Sequence, residues 1–138
     1  MWPARAIVPA ADGSPKFYRY YLIGRGATRG LLLHHFVGSD AAHELHDHPW
    51  GWGISLIIAG GYRETRRARD GGLSTRRFGR GSLNVIRGTD FHRVELIDGR
   101  PAWTLFLHGR VVKRWGVLDL VTGAFRAWTR PARRAPAT

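Results

Sequence analysis

Cysteine is absent from the 138 residues, which removes disulfide scaffolds, thiolate zinc sites, iron–sulfur clusters and cysteine nucleophiles from consideration. Lysine is scarce as well: arginine supplies 20 of the 22 basic residues, and only Lys16 and Lys113 are lysine. With 10 acids the formal net charge is +12, and paired carboxylates of the glycosidase kind find little material. The longest apolar runs, such as Ile54 to Ala59, fall far short of the roughly 20 residues a membrane span needs. Met1-Trp2-Pro3-Ala4-Arg5 lacks the charged-then-apolar build of a secretory signal, so a cytoplasmic protein without membrane contact is expected. No Gly-x-Ser-x-Gly elbow, phosphate-binding loop or dinucleotide fingerprint is present.

What remains is a chain with 43% hydrophobic and 12% aromatic residues, enough for one core and one domain. No window of helical length carries a 3.6-residue apolar period. Short runs rich in Val, Ile, Leu, Phe, Tyr and Trp recur instead, punctuated by glycine. Strands are expected near Phe17–Ile23, Gly30–Val37, Glu44–His48, Ile54–Ile58, Tyr62–Arg69, Leu73–Phe78, Ser82–Ile86, His92–Leu96, Ala102–His108, Trp115–Asp119 and Phe125–Thr129. Asp70-Gly71-Gly72 suits a hairpin turn, because glycine accepts the positive φ such turns demand. The fold class is therefore all-β, and the length suits a jelly-roll β-barrel. The single domain is expected over 1–129, with an irregular lead-in over 1–15 and a disordered tail over 130–138.

Histidine is the informative residue. Five of the seven (His34, His35, His43, His46, His48) fall within 15 residues, and His92 and His108 follow on later strands. In Glu44-Leu45-His46-Asp47-His48-Pro49-Trp50, strand alternation puts His46 and His48 on one face, about 7 Å apart along the chain. Two imidazoles on one face converge on a metal when a third ligand arrives from across the fold, and His92 is placed for that. Glu44 shares their parity, whereas Asp47 points the other way. Glu95 lies on the face opposite His92. His34, His35 and His43 read as edge or surface residues.

These residues resemble the motifs of the cupin superfamily. His46 and His48 fill the paired histidines of its first motif, and Gly60 falls where that motif closes. Gly81 opens the second motif and His92 takes its histidine position. The resemblance runs from about Leu31 to His108 and implies a jelly-roll barrel holding one divalent metal. The first-motif glutamate would fall at Trp52 or Gly53, neither of which ligates metal. Arg87, Thr89 and Leu96 replace the proline, glycine and asparagine of the second motif. The implied ligand set is thus three histidines, similar to the three-histidine iron cupins, among them the thiol dioxygenases. Imidazole also suits Zn, Ni, Mn and Cu; the resemblance favours Fe(II).

The reading that follows is a mononuclear non-haem iron oxygenase, dioxygenase-like, acting on a small anionic molecule. His46, His48 and His92 would hold the metal, and Arg63, Arg93 and Trp50 would line the substrate. His108 or Tyr62 would move protons. A homodimer is compatible with the family. A second reading is a non-catalytic ligand-sensing or nucleic-acid-binding module, using the seven arginines between Arg63 and Arg80. It leaves the histidines without a purpose.

Overall fold

The computed structural model describes residues 5–9, 13–24 and 28–129. The strands are β1 (Arg5–Pro9), β2 (Pro15–Ile23), β3 (Gly30–Phe36), β4 (Glu44–His46), β5 (Trp52–Ala59) and β6 (Gly61–Arg67). They continue as β7 (Leu73–Gly79), β8 (Leu83–Arg87), β9 (His92–Leu96), β10 (Ala102–His108), β11 (Gly116–Asp119) and β12 (Phe125–Ala127). The only helical turn among the described residues is a 3-10 turn at Ile97–Gly99.

Two antiparallel sheets of six strands result, ordered β1-β2-β3-β10-β5-β8 and β12-β11-β4-β9-β6-β7. The expected all-β jelly roll is thus present, but hydrogen bonding leaves two sheets rather than one closed barrel. The lead-in departs further from expectation. Arg5–Pro9 pairs with β2 as an edge strand, where proline is tolerated because one side needs no ladder donor. The tail expected to be disordered, 130–138, lies outside the described residues. No described helix is long and apolar enough to cross a membrane.

Period-two alternation decides what faces inward. Register places Arg19 opposite His34 and His34 opposite Thr104, with Thr104 opposite Ile57. The next inward row runs Tyr21, Leu32, Phe106, Ser55 and Asn84. In the second sheet, His46 sits opposite His92, and His92 opposite Arg66. The buried apolar residues form two clusters, Leu32–Trp50–Ile86–Phe106 and Ile57–Tyr62–Phe78–Val94. Polar side chains are buried beside them: His34, Ser55, Glu64, Asn84, His92, Thr104 and His108. So much interior polarity costs stability unless it is paired, which makes it the place to seek function.

The outer faces differ. Ile58, Leu83, Val85 and Leu107 are exposed on the first sheet. Arg63, Arg67, Arg77 and Arg93 alternate outward on the second. Between the sheets, β5 passes to β6 through Gly60 alone, at φ 68°, where a Cβ would collide with the Pro101 carbonyl.

Candidate metal centre

His46 closes β4, and His92 opens β9 directly opposite it. His48 follows two residues beyond the strand end, earlier than expected, because the chain turns at Pro49. One nitrogen from each of the three imidazoles lies within 4.8 Å of the others. Ring centroids are 5.1 Å apart for His46–His48, and 4.7 Å for both His46–His92 and His48–His92. Trp50 walls the group, stacked 5.8 Å from His48 at 17°.

The protonation pattern suits a cation. Burial pushes the His46 imidazole down to about 3, against the pull of Asp40, whose Oδ2 lies 3.6 Å from Nδ1. Burial also holds His48 well below its ordinary value, helped by His92 and His46. Both are neutral at pH 7, with lone pairs to offer. His92 is fixed by a carboxylate: Nδ1–H donates to Glu64 Oε2 at 2.9 Å, which leaves Nε2 as the lone-pair nitrogen. That Nε2 stands 3.2 Å from His48 Nε2. Two nitrogens bound to one ion at about 2.0–2.1 Å lie at such a separation. Buried His48 Nδ1 has no hydrogen-bond partner among the described residues. The donor set therefore fits one divalent metal.

Around His92 the polar groups are tied together. Asn84 Nδ2 donates to Glu64 Oε2 and to the Tyr62 hydroxyl oxygen, the latter at 3.1 Å. Arg66 Nη2 lies 2.7 Å from Glu64 Oε1 and donates to Asn84 Oδ1 at 3.1 Å. Burial alone would raise the Glu64 carboxyl, but the hydrogen bonds from His92 and Asn84 and the charge of Arg66 hold it at about 2. Glu64 stays ionised.

The other residues singled out in the sequence fall into two groups. Trp50, Tyr62 and His108 are buried inside. His108 stacks 4.6 Å from Trp50, and its Nδ1–H donates to the Gly109 carbonyl at 2.8 Å. Arg63 and Arg93 alternate to the outer face and do not join the histidines. Arg63 Nη1 reaches exposed Glu95 at 3.9 Å, and Arg93 donates to the Ala42 carbonyl at 2.6 Å. Arg66, beside Glu64, and Arg19, beside His34, turn inward instead. Alternation from buried Tyr62 carries the signal for Glu64 and Arg66. Glu44 stays outside the histidine group and pairs with His43 at 3.6 Å and Arg126 at 3.4 Å. Asp47 accepts from the Gly116 amide at 2.7 Å and pairs with Lys113. His34, read as an edge residue, is buried 5.0 Å from Phe17 and 5.4 Å from Phe106. Trp115 lies 6.3 Å from the His46 ring and also lines an open depression with Arg114, Trp128 and Thr129.

No protein-family model matches the sequence, and no curated protein matches it. Solved structures do. A tryptophan-to-tyrosine variant of Bacillus subtilis oxalate decarboxylase aligns with a TM-score of 0.59 at 16% identity, over 79% of this chain. A study of the Mn(II) centres of the same enzyme gives 0.58 and 22% identity over 74% of the chain. In each case the chain spans 28% of the length of the oxalate decarboxylase chain. Similarity at this identity is one of fold, and with the strand order and interior histidines it establishes a cupin-type jelly roll.

Proposed function

We propose that the protein is a metal-dependent cupin enzyme, a mononuclear non-haem iron oxygenase of the dioxygenase kind, acting on a small anionic molecule. The observation that carries this reading is the convergence of His46, His48 and His92, with nitrogens within 4.8 Å and a carboxylate fixing one tautomer. Three neutral ligands leave the metal's charge uncompensated, which favours an anionic substrate. Fe(II) bound there would supply redox chemistry with O2 at coordination positions the protein leaves open. Mn(II), named for the oxalate decarboxylase neighbour, is the alternative the fold likeness brings.

The chain's own groups have definable tasks. Glu64 keeps the His92 proton on Nδ1. Trp50 shields the histidines from water with an indole face. Burial raises the Tyr62 phenol to about 12, so it keeps its proton and serves as a hydrogen-bond donor. His108, with a proton on Nδ1 held by the Gly109 carbonyl, has Nε2 free to accept one.

Oxygen-electrode assays of Fe(II)-loaded protein against a panel of small carboxylic acids test the reading. Substrate-dependent oxygen uptake, lost in His92→Ala, is expected. No uptake with any acid, together with salt-sensitive RNA or DNA binding that persists in His46→Ala, would favour the arginine-rich binding module instead.

A further inference from the structure

Of the seven arginines between Arg63 and Arg80, only Arg66 reaches the buried Glu64. Arg67, Arg69, Arg76, Arg77 and Arg80 are exposed, and none has a carboxylate within ion-pair distance among the described residues. Arg63 meets only exposed Glu95, at 3.9 Å. Register gathers this charge on the outer face of the second sheet. Arg63 stands directly opposite Arg77 on β7, and Thr65 separates Arg93 on β9 from Thr75 on β7. Arg67 follows on β6, opposite Leu73. Arg93 donates to the Ala42 carbonyl, a neutral acceptor, and so keeps its charge uncompensated. Arg69 and Arg80 lie at the two ends of the same hairpin.

Like charges directly across a ladder repel, so this arrangement weakens the sheet unless an anion lies over it. Charge on an edge strand guards against edge-to-edge pairing, which accounts for Arg76 and Arg77 on β7. It does not account for Arg63 and Arg67 on β6 or Arg93 on β9, which are interior strands of the sheet. Nor does an arginine-rich composition choose a face: the first sheet turns Ile58, Leu83, Val85 and Leu107 outward instead.

The face also indicates what it would hold. Its outward side chains Arg63, Thr65, Arg67, Thr75, Arg77 and Arg93 include no aromatic ring, so unstacked bases find nothing to lie on. Guanidiniums match phosphate oxygens in charge and geometry. Along β6, Arg63 and Arg67 are about 13 Å apart, the rise of about four nucleotides on one strand of a duplex. Arg63 and Arg77, opposed across the ladder, are close enough to reach one phosphate together.

We propose that the outer face of the second sheet, centred on Arg63 and Arg77, binds the phosphate backbone of duplex nucleic acid without reading its sequence. Arg93 and His92 are adjacent on β9 and point to opposite sides, so this surface lies apart from the histidine cluster. It is a second activity beside the proposed enzyme, not a replacement for it.

Fluorescence anisotropy of a short labelled duplex DNA, titrated with the full chain at several salt concentrations, tests the surface. Saturable binding is expected, with log K falling against log salt at a slope of about −4, as for four or five phosphate contacts. Arg63→Gln/Arg77→Gln should weaken binding about tenfold or more and reduce the slope by about 2. Arg87→Gln/Arg110→Gln removes the same charge from exposed positions outside this face and should leave the slope as it is. Binding should persist in His46→Ala, with or without oxygen uptake. If Arg63→Gln/Arg77→Gln does not fold, Arg67→Gln/Arg69→Gln at the exposed end of the hairpin takes its place. Absence of duplex binding, or equal losses in the variants on and off the face, would overturn the proposal. So would tighter binding of the single strand of the same sequence, or of phosphatidylserine vesicles.

Discussion

Glu64 Oε2 lies 2.9 Å from His92 Nδ1, and both side chains are almost fully buried, at 4% and 3% exposure. They sit on neighbouring strands, and Arg66 rather than Glu64 is the register partner of His92, so the contact is diagonal across the sheet. Such a carboxylate fixes the ring, fixes the tautomer and increases the basicity of the far nitrogen.

Glu64→Gln should therefore weaken metal binding by roughly 10- to 100-fold while the fold persists. Competition with a chromophoric chelator measures this directly. Unchanged affinity in a folded variant would show that Glu64 serves packing alone.

Gly88 is the point where the end of β8 passes the segment carrying His48 and Trp50. Its amide donates to the Gly51 carbonyl at 3.1 Å, and the His48 amide donates to the Gly88 carbonyl at 3.3 Å. A Cβ there would run into the Trp50 carbonyl, a backbone group with little room to yield. Gly88→Ala should cost about 1–3 kcal/mol in urea unfolding and also reduce metal affinity, because His48 is displaced with the segment. Wild-type stability in the variant would mean that the segment adapts freely.

The Tyr62 phenol is raised to about 12 by burial, partly offset by its hydrogen bonds to Asn84 and Ser55. The folded state then holds its proton more tightly than the unfolded chain, where the value is 10.0. Its contribution to stability is complete below pH 10 and is lost as pH rises towards 12, by about 2 kcal/mol. Tyr62→Phe should flatten stability against pH between 10 and 12 relative to wild type. Identical slopes for the two proteins would contradict this.

Strand positions were legible because the apolar runs alternate and the glycines punctuate them. The three histidines were legible because their spacing survives in one dimension: His46 and His48 are two apart, and His92 lies on the strand that pairs with the strand of His46. β1 was hidden by the three prolines of the first 15 residues, which read locally as irregular chain; Pro9 closes an edge strand, where one side needs no ladder donor. Arg63 and Arg93 were singled out for their nearness in sequence to Tyr62 and His92. Alternation sends adjacent residues to opposite faces, so on β6 the arginine facing inward is Arg66. Arg19 and His34 belong to strands outside the histidine cluster, and only the pairing of β2 with β3 brings them together. Cross-strand pairing of this kind is long-range and leaves no trace in local sequence.

The central claim, that His46, His48 and His92 hold one metal ion, is tested most directly by elemental analysis of protein purified without a histidine tag, wild type beside His48→Ala. The account predicts near-stoichiometric iron in the wild type and its loss in the variant. Zinc or nickel in that position would keep the site and redirect the chemistry towards hydrolysis or isomerisation. No metal in either protein, even after reconstitution with Fe(II), would contradict the account.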